Sequence, residues 1–171
     1  MEELIEKAKK GDEEAFTELI ISLETDLYRI AKMRLSCEDD INEAVQETII
    51  QAFKSIKKVR YPEYFKTWII RVLINNCNRV YKTLNRSEEI EKIKEEKNEY
   101  QLDEEQSISK LDFNILIKTL NYKERISLTL YYSENLTTKE ISKILKEPES
   151  TIRNRISRAK IKLKNLYKGG F

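Results

Sequence analysis

LTTKEISKILKEPESTIRNRISRAKIKLKNLYKGG, residues 136–170, reads as two helices joined by a tight turn. Thr137 stands at a helix start with Glu140 three residues on, the spacing of a capping box, and Ile141, Ile144 and Leu145 supply one apolar stripe. Pro148 cannot continue that helix and drives Glu147 toward an extended conformation, so a second helix is expected to begin at about Pro148 and to run through 148–166. Along it Ile152, Ile156, Ala159, Leu163 and Leu166 recur at steps of four and three and share one side. The same rotation turns Arg153, Asn154, Ser157 and Arg158 outward, and from Ser150 onward the chain holds no acid. Arginine and asparagine pair in bidentate fashion with guanine and adenine edges in the major groove, while Lys160, Lys162, Lys164 and Lys168 suit phosphates. The segment is expected to be a helix-turn-helix that reads duplex DNA.

Outward from this motif, the 171 residues contain three glycines and two prolines, little material for sheets and tight turns. Long stretches of helix formers with a period near 3.6 predict an all-α protein. Helices are expected over 3–10, from Asp12 onward, and over 25–35, 39–57 and 62–84, then near 108–119, 122–133, 137–146 and 148–166. Between them, residues 87–107 are highly charged and poor in large apolar side chains, the composition of a flexible linker. Two small helical domains are therefore expected, over 1–86 and 108–171.

The net charge of +2 conceals four blocks of alternating sign. Residues 1–53 carry a net −8, residues 54–86 a net +8, the next twenty a net −6, and residues 107–171 a net +8. Two basic blocks, each following an acidic one, suggest two nucleic-acid contacts and a further partner of another kind.

That further partner has a candidate surface on the fourth expected helix. Ile41, Val45, Thr48, Ala52, Phe53 and Ile56 form its inward face, leaving Glu43, Gln46, Glu47 and Ile50 opposite. An isoleucine among two carboxylates and an amide fits a protein partner with a basic, partly apolar surface, or a neighbouring helix. On the fifth helix Phe65, Ile69, Val72, Leu73, Cys77, Val80 and Leu84 face inward, and Tyr64, Arg71, Asn75, Asn78 and Lys82 lie opposite, flanked by Trp68 and Arg79. The preceding loop adds Lys57, Lys58, Arg60 and Tyr61. Rings interleaved with cations suit single-stranded nucleic acid, where bases stack on the rings and cations follow the backbone.

Other chemistries find little material. The chain has no histidine, and Cys37 and Cys77 stand singly as expected core residues, so no zinc ribbon or finger can be assembled. No phosphate loop, nucleophile motif or paired-carboxylate signature is present, and neither a catalytic residue, a cofactor nor a small-molecule substrate is expected. The first residues lack a signal-peptide pattern and no apolar run approaches the roughly 20 residues of a membrane span, so a soluble cytoplasmic protein is expected.

Taken together, three segments in this order resemble the extracytoplasmic-function sigma factors, small bacterial initiation factors with two helical domains and a flexible linker. Residues 39–48, DDINEAVQET, are similar to the family's acidic segment that docks on the clamp helices of RNA polymerase; residues 65–72, FKTWIIRV, followed by Asn75 and Asn76, resemble its promoter-melting and minus-ten segment; and 136–141 through 150–159 resemble its minus-thirty-five segment. The resemblance implies polymerase binding by Asp40, Glu43, Gln46, Glu47 and Ile50. It implies capture of the unpaired non-template strand at the minus-ten element by Lys58, Arg60, Tyr61, Tyr64, Trp68, Arg71, Asn75, Asn78, Arg79 and Lys82. Upstream duplex contacts fall to Ser150, Thr151, Arg153, Asn154, Arg155, Ser157, Arg158 and Lys162. It further implies control by an anti-sigma factor, commonly membrane-bound, that would hold the protein at the inner face of the membrane. Three positions depart from the family pattern: Glu43 where aspartate is common, Asn78 where an acid is frequent, and Lys146 where a glycine usually closes the first helix of the motif. At Lys146 a turn of another geometry is expected. The competing reading is a conventional helix-turn-helix regulator with a sensing or dimerising N-terminal domain, which leaves the Tyr64–Lys82 face without a use; a helical adaptor is a further alternative.

Overall fold

The computed structural model describes residues 1–91 and 119–168, and side chains as far as 84 and over 119–165. Seven α-helices lie among the described residues: α1 (Glu2–Lys9), α2 (Glu13–Ala31), α3 (Glu38–Ser55), α4 (Phe65–Glu91), α5 (Tyr122–Tyr132), α6 (Thr138–Leu145) and α7 (Glu149–Lys168). Short 3-10 turns, Ile56–Lys58 and Pro62–Tyr64, join α3 to α4. The linker expected over 87–107 and the helix expected near 108–119 lie outside the described residues, save that 87–91 continue α4 and so move its end past the expected boundary at Arg86.

Gly11, at φ +97°, makes the corner between α1 and α2, a backbone conformation that a Cβ disfavours. Asp12 then caps α2, its carboxylate accepting the Ala15 N–H at 2.9 Å. The two helices expected from Asp12 and over 25–35 are one. Neither Thr25 nor Asp26 breaks the ladder, because Leu19, Leu23, Leu27 and Ile30 continue a single buried stripe through both positions. α2 packs on α1, α3 and α4, and α3 lies along α4.

Asn76 ties α3 to α4 from within. Its Nδ2 donates to the Thr48 hydroxyl at 3.0 Å, and that hydroxyl donates to the Ala44 carbonyl at 2.7 Å. Both residues are buried, so their polar atoms depend on each other. The adjacent asparagines thus divide: Asn75 is exposed and Asn76 holds the fold.

Several inward assignments are corrected. Phe53 is 51% exposed, because it lies about 100° around α3 from fully buried Ala52, and its ring meets Phe16 edge-to-face instead of entering the core. Leu84 is also exposed, lying beyond the reach of α3, whereas Ile70 and Ile74, not expected inside, are buried. Cys37 is exposed at the start of α3 and Cys77 is buried, so only one cysteine is a core residue.

Burial pushes the Cys77 thiol up to about 12. A thiol reagent at pH 8 is expected to modify Cys37 and to spare Cys77 until the protein unfolds; two modified thiols in the native protein would contradict this burial. The same shift makes the native state hold its proton longer than the unfolded chain. Its contribution to stability is therefore present below the ordinary thiol value of 9.0 and is lost as pH rises toward about 12.

The second half is built by α5, α6 and α7, with α5 against α7 and α6 against both. Asn121 caps α5 in a reciprocal box with Glu124, and Thr137 caps α6 in the expected one with Glu140. Between α6 and α7 Lys146 adopts φ +55°, ψ 42°, so the turn keeps the left-handed conformation and the expectation of another geometry is corrected. The Ser142 hydroxyl donates to the Glu147 carbonyl at 2.6 Å and the Glu147 N–H returns to the Ser142 carbonyl, which holds the turn despite the Cβ. Lys146→Gly is expected to raise stability by about 0.5–1 kcal/mol, the left-handed penalty outweighing the added freedom of the unfolded chain. Urea denaturation measures it, and a lowered midpoint would mean that the lysine side chain contributes more than its backbone costs.

Candidate nucleic-acid interfaces and docking surface

The acidic candidate surface occupies the outer side of α3. Glu43, Gln46 and Ile50 are exposed, and Asp40 and Glu47 are half-buried, following one another at steps of three and four so that they form one stripe. Ile50 is 45% exposed and lies outside the apolar core. Glu47 accepts from Gln51 Nε2 at 3.0 Å and is thereby fixed in direction. Phe53 extends the stripe at its C-terminal end, three residues beyond Ile50. The period-2-versus-3.6 pattern gave no signal for it, since an apolar residue one step from Ala52 is read as core.

The α4 face is presented as a second stripe. Tyr64, Trp68, Arg71, Asn75, Asn78, Arg79 and Lys82 recur at helical steps over roughly 27 Å. Arg71, Asn75, Arg79 and Lys82 are exposed and Asn78 is half-buried. Tyr61 and Tyr64, 63% and 53% exposed, meet edge-to-face with centroids 6.3 Å apart, and Lys58 and Arg60 are exposed on the loop beside them. Two tyrosines this open offer ring faces to an unpaired base. Trp68 is half-buried, its ring 5.5 Å from Phe65, so it contributes an edge of the surface while closing the core beneath.

On α7 the structure separates exposed side chains from those bonded within the fold. Arg153, Asn154, Ser157 and Arg158 are exposed, as are Ser150 and Thr151 at its start. Glu149 is the one acid of α7 and accepts from Thr138 at 2.7 Å and from Arg153 at 3.0 Å. Arg155, expected at the DNA, is turned inward with 12% of its side chain exposed. Its guanidinium pairs with Glu147 and donates to the Ser127 hydroxyl at 3.3 Å, so it binds α7 to the turn and to α5. The correction follows from rotation: Arg155 lies three residues after Ile152 and four before Ala159, both fully buried, and so borders their side of the helix. Lys162 donates to Glu124 at 2.6 Å, and this bond holds the Glu124 carboxyl below its ordinary range. It too is engaged within the fold, although half its side chain remains exposed.

The arrangement is a helical protein with a helix-turn-helix in one half and, in the other, an aromatic and cationic face beside an acidic one. Residues 19–87 match the family model described as Sigma-70 region 2, and residues 116–163 match that described as Sigma-70, region 4. The chain belongs to the extracytoplasmic-function sigma factors. It is 26% identical over 178 residues to the ECF RNA polymerase sigma-E factor of Escherichia coli (strain K12), covering 95% of this chain and 91% of that protein. It is 27% identical over 154 residues to the RNA polymerase sigma factor SigV of Bacillus subtilis (strain 168), with 90% and 91% covered. Among solved structures the fold is shared with RpoE of Bartonella quintana, solved with the anti-sigma factor NepR, at a TM-score of 0.70 and 20% identity over 90% of this chain and 96% of that one. It is likewise shared with CnrH, solved with the cytosolic domain of CnrY, at a TM-score of 0.68 and 20% identity over 98% and 97%. No described helix is long and apolar enough to cross a membrane.

Proposed function

We infer that this chain binds core RNA polymerase and directs promoter-specific initiation, with its three surfaces divided among polymerase, melted strand and upstream duplex. The α3 stripe of Asp40, Glu43, Gln46, Glu47 and Ile50 docks on the polymerase, where acids around an exposed isoleucine complement a basic, partly apolar partner. The α4 stripe, with Lys58, Arg60, Tyr61 and Tyr64, receives non-template bases already drawn from the duplex at the minus-ten element. Arg153, Asn154, Ser157 and Arg158 read the minus-thirty-five element in the major groove, with Arg155 and Lys162 as braces. Synthesis of RNA belongs to the polymerase, and the chain supplies recognition. The observation that carries the reading is the pair of exposed tyrosines continuing into the Arg71–Lys82 stripe, which a duplex-reading regulator would not need.

Residues 1–86 and 108–171 serve in this reading as the polymerase and minus-ten half and the minus-thirty-five half. Control falls to an anti-sigma factor, in keeping with the fold relative RpoE, solved with the anti-sigma factor NepR, and a membrane-bound one would hold the chain at the inner face of the membrane.

The test is transcription from a library of promoter sequences by purified core polymerase with and without the protein. Start sites that appear only on its addition are expected, and their upstream sequences define both elements. Absence of such starts, together with failure to bind core polymerase, would return the protein to the regulator reading.

A further inference from the structure

Tyr131 and Tyr132 close α5 outside the apolar core, 37% and 49% exposed, with their rings edge-to-face at 4.9 Å between centroids. The core side of the same turn is filled by Leu128 and Leu130, so burial gives the two rings no task. Lys160 of α7 lies against both. Its Nζ is 5.0 Å from the Tyr132 ring centroid and 5.9 Å from that of Tyr131.

Three other cations of α7 each hold a carboxylate: Arg153 that of Glu149, Arg155 that of Glu147 and Lys162 that of Glu124. Among the described residues no ion pair engages Lys160. It is held by rings instead, which restricts its direction while leaving its charge uncompensated. Its bond to the Tyr132 hydroxyl raises its pKa and so favours the charged form. An exposed ammonium already held in place gives up less freedom on binding an anion than a lysine free in water.

At about 100° per residue, Lys160 stands about 20° around α7 from Arg153 and about 60° from Ser157, at one edge of the outward side. A helix about 10–12 Å across its side chains fills a major groove about 12 Å wide, so the edges of a helix seated there face the sugar–phosphate walls. We propose that Lys160, Tyr131 and Tyr132 together grip the DNA backbone beside the upstream element, the lysine by charge and the hydroxyls by hydrogen bonds to phosphate, and so set how α7 lies in the groove. This role rests on the reading of α7 as the helix that enters the upstream duplex.

Lysine and tyrosine both donate to phosphate oxygens, and such contacts fix register and orientation without carrying sequence. Because the tyrosines belong to α5, the grip is shaped by the packing of α5 on α7, which the bonds from Arg155 to Ser127 and from Lys162 to Glu124 secure. The rival occupant of the two rings is a protein partner, and the two occupants leave different marks. A phosphate contact is lost uniformly across DNA sequences and takes part of the salt dependence with it.

The test titrates the full chain, bound to core RNA polymerase, against a duplex carrying the upstream element recovered from the promoter library and against a shuffled duplex of equal length. Lys160→Gln is expected to weaken binding to both about equally, by about five- to tenfold at about 0.1 M salt, and to lower the slope of log affinity against log salt by about 1. Lys160→Arg should keep the slope. Tyr131→Phe combined with Tyr132→Phe leaves the rings in place and should weaken binding to both duplexes by about threefold or more, with slope and melting temperature unchanged. Unchanged affinity and slope in Lys160→Gln would overturn the grip, and so would a loss confined to the matched duplex, which would make Lys160 a base contact. Intact DNA binding with lowered polymerase affinity in the tyrosine variant would overturn it too, giving the rings to a protein partner. If the unmodified complex shows no preference for the upstream element, the reading of α7 fails and the grip with it; a preference that Lys160→Gln leaves untouched at every salt concentration sinks the grip alone.

Discussion

Glu43→Lys combined with Glu47→Lys is expected to weaken binding to core RNA polymerase by roughly 100-fold, equivalent to about 3 kcal/mol. Both carboxylates lie on the outer stripe of α3, four residues apart, on the same side as exposed Ile50. Reversal changes the local charge by four units and sets cations against a basic partner, a juxtaposition that costs several kcal/mol. Glu43 is exposed, so its replacement leaves the fold undisturbed, while Glu47→Lys also gives up the bond from Gln51 at 3.0 Å. Glu43→Lys alone separates the two effects, since it should lose affinity without any change in melting temperature. Competition for core polymerase against a labelled sigma factor measures the loss, and affinity equal to that of the unmodified protein would move the docking surface off α3.

Arg158→Ala and Arg155→Ala should part company although the residues are three apart. Arg158 is exposed on the side of α7 that carries Arg153 and Asn154, and loss of a bidentate guanine contact is worth about 1–3 kcal/mol. Binding to duplex carrying the upstream element is therefore expected to fall by roughly 5- to 150-fold, with polymerase affinity and melting temperature unchanged. Arg155→Ala removes the partner of Glu147 and a donor to Ser127, and is expected to cost about 1–3 kcal/mol of stability. DNA-binding titrations paired with denaturation curves read both quantities. Equal losses of stability for the two would mean that Arg158 is also a brace.

The helices themselves were legible because their signals are local. Asp12, Thr137 and Pro148 punctuate the chain by backbone chemistry that acts within four residues, and the capping bonds of Asp12 and Thr137 are present in the structure. The expected break near Thr25 is absent, since the residues from Glu13 to Ala31 form one helix and a new start has force only where the preceding ladder ends. The continuous stripe of Leu19, Leu23, Leu27 and Ile30 kept it going. Phe53 and Arg155 failed for a related reason. Periodicity gives an angle around the helix, but whether a residue at the edge of the apolar stripe is inside depends on which neighbours lie beside it: Phe53 meets only the edge of Phe16, while α7 meets α5 at Arg155.

By itself, then, the sequence determined an all-α protein, the helix-turn-helix, the two charged faces of α3 and α4 and the family to which they belong, because each is carried by spacing along one helix or by capping within one turn. Only the tertiary structure decided which arginine is exposed and which braces the fold, that Asn76 is structural beside an exposed Asn75, and that Glu134 meets Arg29 and Lys66. Those partners lie 105 and 68 positions away along the chain. A lone glutamate after α5 carries no local mark of such a partnership, since the energy of a charge is set by what surrounds it in space.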